Sequence, residues 1–289
     1  MILMKLIAID MDGTLVNKQL KVTKENSKVI SQAVKDGHHV VIATGRSYDE
    51  ARHTLEEAEL HLPLICVNGA EIRSAEWEIL SSTPLEFSQY EEIKSILDKE
   101  DIYYELYTSK GTYTDNREKA YEVMKDIVIT SNPEATDDDV QKAALRRFRL
   151  GLVSVVGDFE KLLDQKDIEV YKFLAFSSDT EKLKRAFQHL QAVDDLAVSS
   201  SADNNLEITN SEAQKGVALK RFAEIKGIPM DNTMAIGDNY NDVSMLEIAG
   251  FPVAMGNAVD EVIDMAAFVT KENDQSGVAF AIQRFLETK

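Results

Sequence analysis

Leu6-Ile7-Ala8-Ile9-Asp10-Met11-Asp12-Gly13-Thr14-Leu15 sets an unbroken apolar run directly against two carboxylates and a turn. A short continuous run of this kind suits a strand buried on both faces, as in a parallel sheet covered by helices. The pattern recurs twice: Val40-Val41-Ile42-Ala43 runs into Thr44-Gly45-Arg46, and Thr233 to Ile236 runs into Gly237-Asp238. Helical spacing lies between these strands. After Thr23 as N-cap, Val29, Ile30, Ala33 and Val34 fall on one face, and Gly37 marks the stop. Tyr48 to Glu59 reads as a helix, Leu64 to Val67 as a strand, and Asn68-Gly69 as a turn. From Lys215, Ala218, Phe222 and Ile225 share a helical face that ends at Gly227 and Pro229. A helix from Asp242 to Ala249, a strand from Phe251 to Ala254 and a helix from Gly277 to Leu286 complete the series. Strand and helix alternate, which predicts an α/β fold with a doubly wound, mostly parallel sheet.

The alternation breaks in the middle of the chain. A helix from Tyr90 to Lys99 is followed by two aromatic-rich strands, Ile102 to Tyr107 and Gly111 to Thr114. A strand from Lys172 to Phe176, a helix from Glu181 to Leu190, and strands from Leu196 to Ser200 and Leu206 to Thr209 repeat that order. Helices segregated from hairpin-like strands indicate an α+β module. Residues 84–203 are therefore expected to form an inserted domain, with 1–83 and 204–289 as the core. The acidic stretch Asn132 to Asp139 lacks the ligand spacing of a calcium loop and reads as a solvated loop.

A length of 289 residues agrees with two domains. The formal net charge of −18, from 50 acids against 32 bases, opposes binding to nucleic acid or anionic lipid. No segment has the apolar length of a membrane span, and a cytoplasmic protein, monomeric or weakly dimeric, is expected. The single cysteine, Cys66, lies in an apolar run and reads as a buried, inert thiol. His38, His39, His53, His61 and His189 show no metal-ligand spacing.

Ligands of open α/β sheets bind beyond the carboxyl ends of the strands, so polar residues that follow apolar runs carry the chemistry. Asp10 and Asp12 at one strand end would repel each other unless a cation or a proton relieves them. Oxygen ligands without grouped His or Cys favour Mg²⁺, and Asp238 can complete its site. A bare Asp-x-Asp-Gly is also an ordinary turn. That reading weakens because other strand ends carry matching groups. Thr44 and Gly45 start a helix and can hold an anion on free N–H groups. Lys215, also at a helix start, opposes the macrodipole unless an anion sits nearby. Arg46 reaches a phosphate or pairs with an acid, and the sequence does not choose between these. Asn241 and Asp242 cap a helix, or Asp242 orients Lys215 or a metal-bound water.

Asp10-Met11-Asp12-Gly13-Thr14-Leu15, Thr44-Gly45-Arg46, Lys215-Gly216 and Gly237-Asp238-x-x-Asn241-Asp242 resemble, in order and spacing, the four motifs of the haloacid dehalogenase superfamily. With Asn68-Gly69-Ala70 and Ala254-Met255-Gly256-Asn257-Ala258 the chain is similar to the Cof-type sugar-phosphatase branch, over essentially its whole length. The resemblance implies a Rossmann-like core with a large inserted cap, and a phosphohydrolase acting on small phosphorylated metabolites. It implies Asp10 as nucleophile and Asp12 as general acid and base. By the same resemblance Asp10, the Asp12 carbonyl and Asp238 bind Mg²⁺. Met11, Thr44, Gly45, Lys215 and Asn241 contact the phosphoryl group, with Asp242 behind them. Two alternatives stay open: a phosphomutase, for which Lys172 and the Arg146-Arg147 pair would hold a second phosphate, and a catalytically silent metabolite sensor or phospho-receiver domain.

Overall fold

The computed structural model describes residues 4–131, 136–164, 167–200 and 204–287. In chain order the first segment holds β1 (Leu6–Asp10), α1 (Lys24–Lys35), β2 (His39–Ala43), α2 (Tyr48–Glu57), β3 (Leu64–Cys66), β4 (Glu71–Arg73) and β5 (Ile79–Ser82). The middle holds α3 (Phe87–Lys99), β6 (Tyr103–Thr108), β7 (Gly111–Thr114), α4 (Arg117–Ser131), α5 (Asp137–Arg149), β8 (Ser154–Val155), α6 (Phe159–Leu163), β9 (Val170–Phe176), α7 (Thr180–Leu190), β10 (Leu196–Ser199) and β11 (Asn205–Asn210). The last segment holds α8 (Lys215–Lys226), β12 (Thr233–Gly237), α9 (Val243–Ile248), β13 (Phe251–Ala254), α10 (Asp260–Met265), β14 (Phe268–Val269) and α11 (Gly277–Glu287).

The chain divides into two compact units, Met1–Thr83 with Glu212–Lys289, and Pro84–Ser211. The second junction falls after β11 rather than at residue 203, because β11 pairs with β9 through Ile208 opposite Phe173.

The first unit is an eight-stranded sheet in the order β14-β13-β12-β1-β2-β3-β4-β5. From β14 to β3 every pairing is parallel, and β4 and β5 add an antiparallel edge. The α/β architecture read from the alternation is the one observed, and β4 and β5 are strands the apolar-run reading passed over. Their short, polar-flanked segments lack such a run. The chain leaves β1 toward β2 and β3 on one side and returns through β12 to β14 on the other, so β1 is the switch point. Register aligns Asp10 with Ala43 and Ile9 with Ile236, which brings the residues after β1, β2 and β12 to one edge. Leu6, Ala8, Val41, Ala235, Leu219 and Phe222 share the core on one face of the sheet.

Two helix faces differ from the expected ones. Asn26, Ile30 and Ala33 are the buried residues of α1, while Val34 is 43% exposed. In α8 the inward stripe is Ala218, Leu219, Phe222 and Ala223, and Ile225 is 49% exposed. In each case the stripe follows i, i+3, i+4 spacing and the extra residue lies past its edge. Cys66 is fully buried, and burial pushes its thiol well above its ordinary range.

The second unit is a six-stranded sheet, β10-β11-β9-β6-β7-β8. One face packs Tyr104, Leu106, Phe173, Ala175 and Ile208 against α3 and α7 residues such as Ile93 and Leu183. Tyr103, Glu105 and Tyr107 alternate with these and lie on the other face. Residues 132–135 of the acidic stretch lie outside the described residues, and from Asp137 the stretch is the first turn of α5 rather than a loop.

Candidate active site

Asp10 ends β1, where the apolar run stops, and is 4% exposed. Its Oδ1 accepts from Lys215 Nζ at 2.7 Å. Its Oδ2 is buried and, among the described residues, accepts no hydrogen bond. Lys215 is the first residue of α8, whose N-cap Gln214 supplies no side-chain cap. The helix start therefore presents a cation, which carboxylates offset: Nζ also donates to Asp242 Oδ1 at 2.7 Å.

Asp242 is buried and fully engaged. Its Oδ2 accepts from the backbone N–H groups of Asp238 at 2.9 Å and Asn239 at 3.1 Å. It thus fixes the turn after β12 and the Lys215 head together. Asp238 Oδ1 accepts from Thr14 Oγ1 at 2.9 Å. Two glycines make room for this packing. A Cβ on Gly13, whose φ is +81°, would lie 2.2 Å from Asp238 Oδ2, and one on Gly237 would lie 2.5 Å from Asp242 Cβ.

Among the described residues, Asp10, Asp238 and Asp242 offer carboxylate oxygens within 4.8 Å of one another. Three carboxylates face one lysine, so the cluster carries a surplus of negative charge. Burial, then the Asp242 charge, pushes Asp10 well above the usual carboxylate range, against the pull of Lys215. The same two causes push Asp238 up to about 6. Burial alone would lower Lys215, but Asp10 and Asp242 hold it above its ordinary value. A cation beside the unpartnered Asp10 Oδ2 would relieve this surplus, so the acidic group fits a metal.

Thr44 is fully buried, and its Oγ1 accepts from the Arg46 N–H at 3.1 Å. Gly45 stands where a Cβ would come within 3.0 Å of Asn68 Oδ1. Asn68, left-handed at φ 56°, accepts from Asn241 Nδ2 at 3.3 Å. The turns after β2, β3 and β12 are thereby linked. The Met11 side chain is fully buried, which leaves only its backbone to face a ligand. Asp12 stands apart from the cluster, with its side chain 51% exposed and both oxygens held by Arg46.

The sequence alone assigns no role to Thr14 or Asn68 and leaves Arg46 undecided between a phosphate and an acid. Thr14 and Asn68 lie inside the quoted motifs, but their partners are 224 and 173 residues away, a pairing no local spacing reveals. In the other unit, Arg147 is spent on Glu105, to whose fully buried carboxylate it donates at 2.9 and 2.7 Å. Lys172 is 3% exposed and donates to Glu207 at 3.1 Å.

Residues 7–282 match the family model of haloacid dehalogenase-like hydrolases. The phosphatase YwpJ of Bacillus subtilis is 36% identical over 98% of this chain and 100% of its own. The 5-amino-6-(5-phospho-D-ribitylamino)uracil phosphatase YwtE of the same organism is also 36% identical, over 98% of both chains. A solved haloacid dehalogenase-like hydrolase from B. subtilis superposes with a TM-score of 0.85 at 36% identity, over 97% of this chain and 99% of its own.

Proposed function

The chain belongs to the haloacid dehalogenase-like hydrolases and is a phosphoric monoester hydrolase, and on that premise we propose that it dephosphorylates small phosphorylated metabolites through an aspartyl phosphate on Asp10. One observation carries this reading. Asp10 has one oxygen fixed by a buried lysine and the other buried without a partner, at the end of the central strand.

In the first step an Asp10 oxygen attacks phosphorus, and the ester P–O bond breaks as Asp12 gives its proton to the departing oxygen. In the second step water attacks the phosphorus, Asp12 takes the water's proton, and the bond to Asp10 breaks to return its carboxylate. Lys215, Thr44, Gly45, Asn241 and the Met11 backbone are assigned to the phosphoryl oxygens. Asp242 keeps Lys215 in place through both steps. Mg²⁺, held by Asp10, the Asp12 carbonyl and Asp238, would neutralise charge on the transferring group.

We assign substrate selection to the Pro84–Ser211 unit. A phosphomutase would need free cations there for a second phosphate, and Arg147 is already committed to Glu105.

The test is phosphate release from a panel of phosphorylated sugars, sugar alcohols and nucleotides, including the phosphoribityl compound named for one relative. Asp10→Asn is nearly isosteric, so it should keep the fold while turnover falls by about 10⁴-fold or more. An acid-quenched single turnover should trap phosphate on the wild-type protein and none on the variant. Substantial activity in Asp10→Asn would sink the mechanism.

A further inference from the structure

We propose that Arg46 is the positioning residue for Asp12, an inference that rests on the reading of Asp12 as the group that moves protons. Arg46 Nε donates to Asp12 Oδ2 at 2.8 Å and Nη2 donates to Oδ1 at 2.6 Å. The far side of the guanidinium is anchored as well, with Nη1 donating to Thr54 Oγ1 on α2 at 2.8 Å. Thr54 passes its own proton to the Glu50 carbonyl at 3.2 Å, so its hydroxyl is oriented to accept from Arg46. The start of α2 is in turn fixed by reciprocal capping between Ser47 and Glu50. The Arg46 backbone is held too, by Thr44 Oγ1 at 3.1 Å and by Val67 N–H, which donates to its carbonyl at 2.9 Å.

Asp12 contrasts with this rigid fork. Its side chain is half exposed on a turn, where an unrestrained carboxylate would sample several rotamers. A bidentate guanidinium selects one of them. A carboxylate has about four lone-pair sites and the fork occupies two, so the outer pair stays open to a water or a leaving-group oxygen. Arg46 thus holds the carboxylate still while leaving it free to work. This differs from a phosphate contact, because the donors of Arg46 that the structure shows in use point at Asp12 and Thr54.

The experiment measures kcat, KM and competitive inhibition by inorganic phosphate for Arg46→Ala and Arg46→Lys, each also made with Asp12→Ala, on an activated aryl phosphate and a sugar phosphate. Loss of the fork should lower kcat on the sugar phosphate about 10²-fold, the scale of a misplaced catalytic group. Phosphate inhibition should stay within about threefold of wild type, and lysine should not rescue because it lacks the fork. In the Asp12→Ala background Arg46→Ala should cost nothing further. Thr54→Val, which cuts only the anchor, should give a smaller loss of kcat with the same unchanged phosphate affinity. Phosphate inhibition that weakens in step with kcat would make Arg46 a phosphate ligand and overturn the proposal. An equal loss with and without Asp12 would also overturn it, as a merely structural effect. Full turnover in Asp12→Ala alone would instead remove the reading of Asp12, a result distinct from either outcome for Arg46.

Discussion

Each unit of the molecule buries a lysine, and the two are held differently. Lys215 opens helix α8, 1% exposed, between two carboxylates each at 2.7 Å. Lys172 lies in the middle of β9, 3% exposed, with Glu207 at 3.1 Å and its ammonium 4.3 Å from the centre of the Tyr107 ring. A charge out of water must be matched by charge and hydrogen bonds, and the first lysine is over-matched while the second has an aromatic face for part of its environment. The contrast separates an acidic cluster with surplus negative charge, which fits a metal, from a one-to-one ion pair set against an aromatic ring.

The largest effect that would sharpen this contrast is on stability. Lys215→Met leaves Asp10 and Asp242 buried without their cation, which costs about 3–5 kcal/mol and lowers the melting temperature on the order of 10 °C near pH 7.5. Lys172→Met leaves Glu207, whose side chain is 14% exposed and so reached by water, and should cost roughly 1–2 kcal/mol. Calorimetry of both variants without metal decides the order. Equal losses would mean that the second carboxylate on Lys215 adds nothing.

This difference also explains what was legible in the sequence. Asp10, Thr44 and Asp238 follow apolar runs directly, so a buried strand announces the polar group at its end, and the register of β1, β2 and β12 brings those ends together. Lys172 and Glu207 alternate with apolar residues inside strands, as any solvent-facing residue would, and their burial depends on what covers the sheet. Arg46 was visible but ambiguous, because its hydrogen bonds to Asp12, 34 residues away, and to Thr54 on the following helix are not set by local spacing. Helices α4 and α5 went unread because the acidic stretch ahead of α5 looks like a loop until Asp137 begins its first turn. The division into two units was legible from the change of pattern, but its second junction was misplaced because β11 was not seen to complete the β9 edge.

A second effect, of intermediate size, concerns metal and pH. Asp238 is pushed up to about 6 by burial and by Asp242, so below that pH a proton competes with a cation for its carboxylate. A raised carboxyl stabilises the folded state while protonated, and that contribution is lost as the pH rises through about 6. The rise in melting temperature produced by Mg²⁺ should therefore be small at pH 5 and grow toward pH 7.5. Asp238→Asn should flatten that dependence and Lys172→Met should leave it in place. A metal-induced shift that is the same at both pH values would show that these carboxylates do not hold the ion.

The smallest effect belongs to the second unit and tests its assignment to substrate selection. Tyr107 lies opposite Lys172 in register, and Lys172 opposite Thr209, so these side chains share one face of the sheet. Thr112, opposite Tyr107 on the other side, keeps a buried Oγ1 without a hydrogen-bond partner among the described residues. If a leaving group reaches this face, the lysine, the glutamate and the hydroxyl would discriminate by polar contacts, each worth roughly tenfold or more in relative kcat/KM. Lys172→Met should then change the ratio of kcat/KM between a sugar phosphate bearing a carboxylate and a neutral one by about tenfold, with the carboxylate bearer losing more. Asp10→Asn, in contrast, should depress both together, because it removes the step they share. If Lys172→Met lowers every substrate by one common factor, its effect is on folding or on the shared step, and the sheet face does not choose between substrates.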